Sequence, residues 1–144
     1  MKFMMLVKAS KESEAGVLPT AEQFACMGAY NEELVKAGVV LGFDGLQASS
    51  KGVRIKFDGG RPTITDGPFA ETKELLAGYW LIQVKSKEEA VEWASRIPFE
   101  DGEEVEVRQI FEASDFPAEL TAAAEARLAE KLRERQETNA ADPR

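Results

Sequence analysis

The segment GYWLIQVKSKEEAVEWASRIP, residues 78–98, contains the strand and the helix that decide the fold. Residues 78–85 are almost continuously bulky, which is typical of a short strand buried in a core. Ser86 begins an S-x-x-E pattern with Glu89 and predicts a capped helix, which Pro98 ends. The positions of this helix that we expect to face the core are Val91, Ala94 and Ile97.

A similar strand and helix occupy the start of the chain. Residues 2–9, KFMMLVKA, predict a central strand with Phe3, Met5 and Val7 on one face and Met4 and Leu6 on the other. Thr20 and Gln23 form a capping box for the first long helix, and Gly38 is placed to terminate it. The spacing predicts a core-facing stripe made of Phe24, Met27, Asn31, Leu34 and Val35.

The middle of the chain and its last strand complete the order of elements. Residues 39–47 predict a second strand, residues 53–65 a hairpin that turns at Asp58-Gly59-Gly60, and residues 105–111 a final strand. Without the hairpin, the order is strand, helix, strand, strand, helix, strand. This order predicts an α+β protein with a ferredoxin-like βαββαβ sheet, an inserted β-hairpin and both helices on one face.

A sheet with helices on one face leaves its other face bare. The bare face is expected to carry Phe3 or Met4, Tyr79 or Trp80, and Val107 or Arg108. Apolar surface of this kind is unfavourable in water, and pairing with a second copy covers it. We therefore expect a homodimer with a two-sheet, barrel-like interface, a dimeric α/β-barrel.

The chain changes character after residue 114. Leucine or alanine recurs at every fourth position from Leu120 to Leu132 within a segment rich in Ala, Glu and Arg, which predicts an amphipathic helix over residues 117–136. Residues beyond Thr138 are expected to fray. The predicted organisation is a domain of residues 1–114, followed by a C-terminal helix and tail of residues 115–144.

The composition excludes several classes of function. The 144 residues carry a formal charge of −8, which disfavours nucleic acid and anionic membranes as direct partners. The short apolar start predicts neither a signal peptide nor a membrane span, so we expect a cytoplasmic protein. Histidine is absent, and the only cysteine, Cys26, is expected to be a buried, unreactive residue of the first helix. No metal site and no cofactor are predicted.

The stretch TDGPFAETKELLAGYW, residues 65–80, places a turn beside a cluster of charges. In one interpretation Asp66 is a turn former whose carboxylate accepts hydrogen bonds from the amides just ahead. In the other, Asp66 is a catalytic acid or base at the rim of a pocket. Glu71, Lys73 and Glu74 follow closely, and a lysine among carboxylates can shift their pKa values. Lys73 is therefore a candidate ligand-binding residue, although a solvated charge cluster is the simpler explanation of these residues.

Three further residues are candidates for ligand binding. Glu106 and Arg108 are two positions apart on one strand, so both point to the same face, where Arg108 either pairs with Glu106 or anchors an anion. Tyr79 and Trp80 open the third strand on opposite faces, and the one at the cleft lines a pocket. Asn31 interrupts the apolar stripe of the first helix, either as an edge residue bonded locally or as part of the pocket.

The motif Asp66-Gly67-Pro68-Phe69, within ITDGPFAETKE, resembles the YciI-related family, also called DGPF-domain proteins. The segments MKFMMLVKAS, YNEELVKAG, GYWLIQVKSKEEAVEWASRIP and VEVRQIF extend the resemblance over residues 1–112. The resemblance implies a dimeric, ferredoxin-like α/β-barrel with a cleft in each subunit. Some relatives are proposed enzymes that use a histidine and an aspartate, and others accompany sigma factors. Only Asp66 carries over, because this chain has no histidine.

Two functions follow from these observations. The first is a small-molecule-binding or regulatory module with a cleft near Asp66, in which the resemblance adds a sigma-factor-linked partner. The second is a small, metal-independent enzyme that uses Asp66 as acid or base on a small organic anion. A scaffold whose surfaces serve only assembly is a third hypothesis.

Overall fold

The computed structural model describes residues 1–141, apart from the side chain of Lys73. The strands are β1 (Lys2–Lys8), β2 (Val40–Gly45), β3 (Val53–Asp58), β4 (Arg61–Asp66), β5 (Leu76–Gln83) and β6 (Val105–Gln109). The helices are α1 (Lys11–Glu14), α2 (Ala21–Lys36), α3 (Lys87–Ser95) and α4 (Ala118–Ala141). Short 3₁₀ turns occupy Ser49–Lys51, Thr72–Glu74 and Ala113–Asp115.

Four of the strands form one antiparallel sheet in the order β2-β5-β1-β6. This order places the first and third strands of the βαββαβ pattern at the centre, which confirms the ferredoxin-like sheet predicted from the sequence. The remaining strands, β3 and β4, pair only with each other and form the inserted hairpin. Both hairpin strands are exposed along their whole length.

The core lies between one face of the sheet and two helices. Alternate residues of the central strands point into it, with Phe3 and Met5 from β1 and Trp80 and Ile82 from β5 all buried. The helical side of this core is formed by α2 and α3, through Tyr30, Leu34, Ala90, Trp93 and Ala94. Because strand side chains alternate with a period of two, burying these residues on one face sends their neighbours to the other face.

The other face, called here the open face, lies opposite α2 and α3. Its apolar centre consists of Met4 and Leu6 on β1 and Tyr79 and Leu81 on β5, all only half-buried. Charged residues occupy its edges, where the pairing register places Asp44 on β2 and Glu106 and Arg108 on β6. The expectation of one bare sheet face is confirmed, and of the alternatives left open by the sequence the face carries Met4, Tyr79 and Arg108.

The core-facing side of α2 differs from the predicted stripe. Phe24 and Val35 are exposed, and Tyr30 is buried in their place, together with Leu34. The rings of Tyr30 and Trp80 meet edge to face with centroids 5.6 Å apart, and the Tyr30 hydroxyl donates to the Trp93 carbonyl at 2.8 Å. These tertiary contacts set the rotation of α2 about its axis. Burial of the Tyr30 hydroxyl also raises the pKa of Tyr30 to about 12.

Two other predictions of burial are wrong. Cys26, expected to be buried, is exposed on α2. Val91, expected to face the core from α3, is 46% exposed, whereas its neighbours Ala90 and Trp93 are buried. The large indole of Trp93 contributes more apolar area than a valine, so packing favours the rotation that buries it. The cap of α3 matches its prediction, since the Glu89 amide donates to the Ser86 hydroxyl at 3.1 Å.

The chain forms two compact units, Met1–Ile110 and a second that begins at Phe111. Phe111, predicted to continue the last strand, lies beyond the end of β6, and its ring contacts Phe116 with centroids 5.0 Å apart. The helix α4 extends past Thr138, where fraying was expected. Its leucines are exposed, and no helix within residues 1–141 is long and apolar enough to cross a membrane.

We predict that Asn31→Ala lowers the free energy of unfolding by about 1–3 kcal/mol, because it leaves the buried indole N–H of Trp80 without an acceptor. In the wild type, Trp80 Nε1 donates to Asn31 Oδ1 at 2.8 Å. Urea denaturation followed by tryptophan fluorescence measures the change. Glu32→Ala, at the exposed neighbouring position, is the control and is expected to shift the free energy by less than about 0.5 kcal/mol.

Candidate functional site

Asp66 is the last residue of β4, opposite Val53 in the hairpin, and its side chain is exposed. Among the residues that the structure describes, no hydrogen bond or ion pair engages its carboxylate. The expected turn, in which Asp66 accepts from the amides ahead, is therefore not what holds this loop. The loop is held by the segment that precedes the hairpin, and the Gly67–Pro68 peptide bond within it is cis.

A clamp of hydrogen bonds fixes the loop that follows Asp66. The Gly67 amide donates to the Gly52 carbonyl at 2.9 Å, and the Phe69 amide donates to Ser49 Oγ at 3.1 Å. Ser49 in turn donates from its amide to Glu14 Oε2 at 2.8 Å and from its hydroxyl to Glu14 Oε1. These bonds to Ser49 lower the pKa of Glu14 below its ordinary value of 4.5. We name Glu14, Ser49 and Phe69 the loop clamp.

Gly67 is required by the closeness of two backbone segments. A Cβ at this position would lie 1.8 Å from the carbonyl oxygen of Ser49, so another residue cannot fit unless the backbone moves. On the other side of the loop, the Arg54 guanidinium lies 3.8 Å from the centre of the Phe69 ring. A cation over an aromatic face is a favourable contact, and it ties the hairpin to the loop.

Among the described side chains, the charged residues after the motif make no ion pair with one another. Glu71, which precedes the 3₁₀ turn Thr72–Glu74, and Glu74, which ends it, are both exposed. The side chain of Lys73 lies outside the described part of the structure, so its role as a ligand-binding residue stays a prediction. The loop ends at buried Leu75, whose carbonyl accepts from the Ala9 amide at 2.8 Å. This contact anchors the loop to the end of β1.

Tyr79 lies on the open face, at the end of the sheet where β5 begins after the loop. Its hydroxyl donates to Asp44 Oδ2 at 3.0 Å. The hydrogen bond and the negative charge of Asp44 raise the pKa of Tyr79 above its ordinary value of 10.0, so the phenol is a proton donor at neutral pH. The prediction that Tyr79 and Trp80 take opposite faces is confirmed, because Trp80 is buried in the core.

Arg108 lies at the opposite edge of the open face. Its Nε is 3.7 Å from Glu106 Oε2, and the Lys8 ammonium is 3.5 Å from Glu106 Oε1. The Arg108 side chain is 72% exposed, so its ion pair with Glu106 is loose and solvated. The predicted pair with Glu106 is thus present, and an anion-binding role for Arg108 stays a prediction.

Asn31 lies on the helical side of the sheet, away from the other candidates. Its side-chain oxygen accepts from Trp80, which accounts for an amide on an apolar stripe without any ligand. The structure thus places Tyr79 and Arg108 on one face, Asp66 in the loop next to that end of the sheet, and Asn31 on the other side. A ligand-binding role for Asn31 stays a prediction.

Sequence reasoning missed three residues of this region. Asp44 follows a glycine-interrupted strand and carries no motif, and it is identified only because the register sets it opposite Tyr79. Glu14 and Ser49 are separated by 35 residues and meet only in the folded chain. The S-x-x-S spacing of Ser10 and Ser13 indicates the start of the short helix α1. It gives no sign that Glu14 in that helix binds Ser49.

Other features offer less to a ligand. A shallow groove of about 380 Å³ is lined by Leu18, Pro19, Thr20, Ala21 and Phe24, and its apolar walls hold no charged group. Within residues 1–141, no group of three or more His, Cys, Asp or Glu side chains is arranged to hold a metal ion. The open face and the adjoining loop therefore contain the best-organised polar groups of the described chain.

The YCII-related domain family is matched over residues 1–114. The chain belongs to the YCII-related family. It is 34% identical over 68 residues to the uncharacterized protein R00369 of Rhizobium meliloti, an alignment that covers 47% of this chain and 55% of that relative. The chain thus spans about half the length of this curated relative.

A solved structure also resembles the chain. It is 5-chloro-2-hydroxyhydroquinone dehydrochlorinase from Burkholderia phenoliruptrix AC1100, in complex with 2,5-dihydroxybenzoquinone. The similarity covers 81% of this chain and all of that one, with 14% sequence identity and a TM-score of 0.45. At this level of similarity, nothing about the chemistry of this YCII-related chain follows from that enzyme.

We predict that Gly67→Ala mobilises residues 66–74, because the added methyl group forces the Ser49 turn away and breaks the Gly67 to Gly52 hydrogen bond. Amide hydrogen exchange measures the effect as faster exchange in this segment. The control is Gly28→Ala, since a Cβ at Gly28 meets nothing within 4 Å and alanine favours the helix. Equal exchange in both variants would show that the close approach does not hold the loop.

We predict that the loop clamp makes stability depend on pH in the acidic range. Because the folded state lowers the pKa of Glu14, its carboxylate stabilises the fold above the unfolded value of 4.5, and this contribution is lost as pH falls through the lower folded value. Urea midpoints of wild type and Glu14→Gln should therefore differ at neutral pH and converge below 4.5. Glu12→Gln, on the same short helix, should show no such convergence. A wild-type advantage that persists undiminished at about pH 3 would contradict the role of Glu14.

Proposed function

We propose that this YCII-related chain is a small-molecule-binding module that works as a homodimer, with its cleft on the open face beside the Asp66 loop. Binding sites for small molecules are commonly apolar surfaces with a few placed polar groups on a rigid scaffold. The open face has this composition: Met4, Leu6, Leu81 and the Tyr79 ring form its centre, and a hydroxyl and a guanidinium border it. This combination is the observation that carries the proposal.

The homodimer supplies the cover that such a cleft needs. A single copy leaves the half-buried side chains of the open face accessible to water, and a second copy excludes that water. A dry site strengthens every polar contact within it, because charges interact more strongly at low dielectric constant. The ligand class that fits is a small organic anion with an apolar body, bound through its carboxylate to Arg108.

A regulatory role needs only this binding step. The sequence resemblance implies a sigma-factor-linked partner for some relatives, and a module that binds a ligand and passes the signal on is consistent with that role. In this form of the proposal, Asp66 carries out no reaction, and the loop clamp serves to fix the rim of the cleft.

Benzoate is the probe that tests the binding proposal, since it combines a carboxylate with an apolar ring. We predict that Arg108→Ala raises the dissociation constant of benzoate by about tenfold or more, because a charge-assisted hydrogen bond is lost. Titration calorimetry on the full chain measures the affinity. Arg61→Ala, which removes an exposed arginine at the hairpin tip, is the control and should leave the affinity unchanged. Equal affinities for all three proteins would contradict the assignment of Arg108.

The alternative is a metal-independent enzyme in which Asp66 acts as acid or base on the same class of anion. One observation favours it: the Asp66 carboxylate has no described partner, while its loop is held firmly by Gly67 and Phe69. A free carboxylate on a fixed loop is suited to proton transfer.

Asp66→Asn separates the two functions. In the enzyme, we expect this change to abolish turnover of a copurifying ligand, detected by native mass spectrometry of protein from its host, while benzoate affinity stays within about twofold. In the binding module, the ligand remains unconverted in wild type and variant alike. Conversion by both proteins would exclude Asp66 as the acid or base.

A further inference from the structure

The side chains of the open face are arranged in rows that cross all four strands. Residues directly opposite each other in antiparallel strands point to the same side of a sheet. The register therefore gives one row of Asp44, Tyr79, Leu6 and Glu106, and a second row of Gly42, Leu81, Met4 and Arg108. Both rows have apolar side chains in the middle. The first row ends in a carboxylate on each side, and the second ends in Gly42, which has no side chain, and in Arg108.

The β2 edge of this face carries a negative charge. Asp44 is the only charged residue of β2. It accepts one hydrogen bond from Tyr79, and no cationic side chain that the structure describes pairs with it. In the adjacent row, Gly42 has no side chain, and a Cβ there would meet nothing within 4 Å. An open space thus lies beside the exposed carboxylate of Asp44.

The β6 edge carries the opposite charge. Glu106 is shared by two cations, Lys8 and Arg108, which leaves this edge with a net positive charge. The Nε of Arg108 lies 3.7 Å from Glu106 Oε2, and the Arg108 side chain is 72% exposed. A guanidinium has several N–H donors in a planar fork, so this loose contact leaves donors available for a second carboxylate.

We propose that each binding site is completed by the second copy, with Arg108 of the partner subunit paired to Asp44 beside Tyr79. This inference rests on the proposed function and names the residues that join the two subunits. A two-fold axis parallel to the strands reverses their left-to-right order, so that β6 of each copy lies over β2 of the other. Each row then faces the same row of the other copy, so Arg108 of the partner subunit lies over Gly42 and reaches the neighbouring Asp44 through the open space there. Glu106 of the partner subunit, which is already paired with two cations, lies over Asp44 itself.

Electrostatics favours a two-fold axis parallel to the strands over one perpendicular to them. An axis perpendicular to the strands places β6 over β6 and leaves Asp44 of each copy buried without a cation. Burying an unpaired carboxylate is strongly unfavourable, whereas a paired and hydrogen-bonded one is tolerated. The axis parallel to the strands is therefore favoured, because it covers the apolar centre of the open face and also brings a cation close to each Asp44.

The composite site has a defined chemistry. Asp44 holds one side of the partner's guanidinium, and the remaining N–H groups of the fork are available to the carboxylate of an organic anion. The Tyr79 hydroxyl donates its proton to Asp44 and so fixes the carboxylate that holds the partner's guanidinium. Two identical sites per dimer result, and neither exists in a single copy.

Charge reversal tests the pairing in the full chain without any ligand. Arg108→Glu places a second anion opposite Asp44, and Asp44→Arg places a second cation opposite Arg108, so each variant alone should weaken self-association by about tenfold or more. An equimolar mixture of the two variants restores both contacts. Sedimentation equilibrium should therefore show monomers for each variant and a heterodimer for the mixture at the same total concentration.

Several results would overturn the pairing. One is that the single variants dimerise as tightly as the wild type, and another is that their mixture stays monomeric. A third is that Arg108→Glu is rescued by Glu106→Arg, which indicates the perpendicular axis. Both substituted side chains are exposed, and the neutral variants Arg108→Gln and Asp44→Asn serve if a reversed charge prevents folding. Benzoate calorimetry on the wild type needs no substitution in the pairing residues, so a failed pairing with intact benzoate binding is distinguishable from a failed binding function.

Discussion

The alternation of side chains on the two central strands is the constraint on which the whole structure depends. β1 and β5 send Phe3, Met5, Trp80 and Ile82 into the core, where α2 and α3 cover them. The same backbone must then present Met4, Leu6, Tyr79 and Leu81 on the other side. A shift of one residue in either strand would exchange the two sets, so core and open face are fixed together.

The loop clamp holds the Asp66 loop in place before β5 begins. Hairpins of two strands are marginally stable by themselves, and the exposed β3–β4 hairpin gains little from burial. The clamp ties its base to α1 through Glu14 and Ser49, and the Arg54 guanidinium adds a contact with Phe69. The loop is thus held by Glu14 and Ser49, outside the motif, together with Gly67 and Phe69 within it.

The charges of the open face link its two proposed roles. An apolar centre alone would favour any apolar partner, whereas Asp44 at one edge and Arg108 at the other distinguish among orientations. In the proposed homodimer, the same arginine that orients the second copy also offers its remaining donors to an organic anion. Dimer association and ligand binding would then both depend on the charge of Arg108, and both would weaken as ionic strength rises.

The sequence alone determined the order of the elements, the caps of α2 and α3, the alternation of β1 and β5 and membership of the family. The caps and the alternation are local, since each depends on a pattern within about ten residues, and the order of elements and the family resemblance add up such local patterns along residues 1–112. The rotation of α2, the exposure of Cys26 and Val91, the partner of Asn31 and the clamp of Glu14 on Ser49 were decided only by the tertiary structure. They depend on which distant groups offer the larger apolar contact or the nearer hydrogen-bond partner, and that choice exists only once the chain has folded.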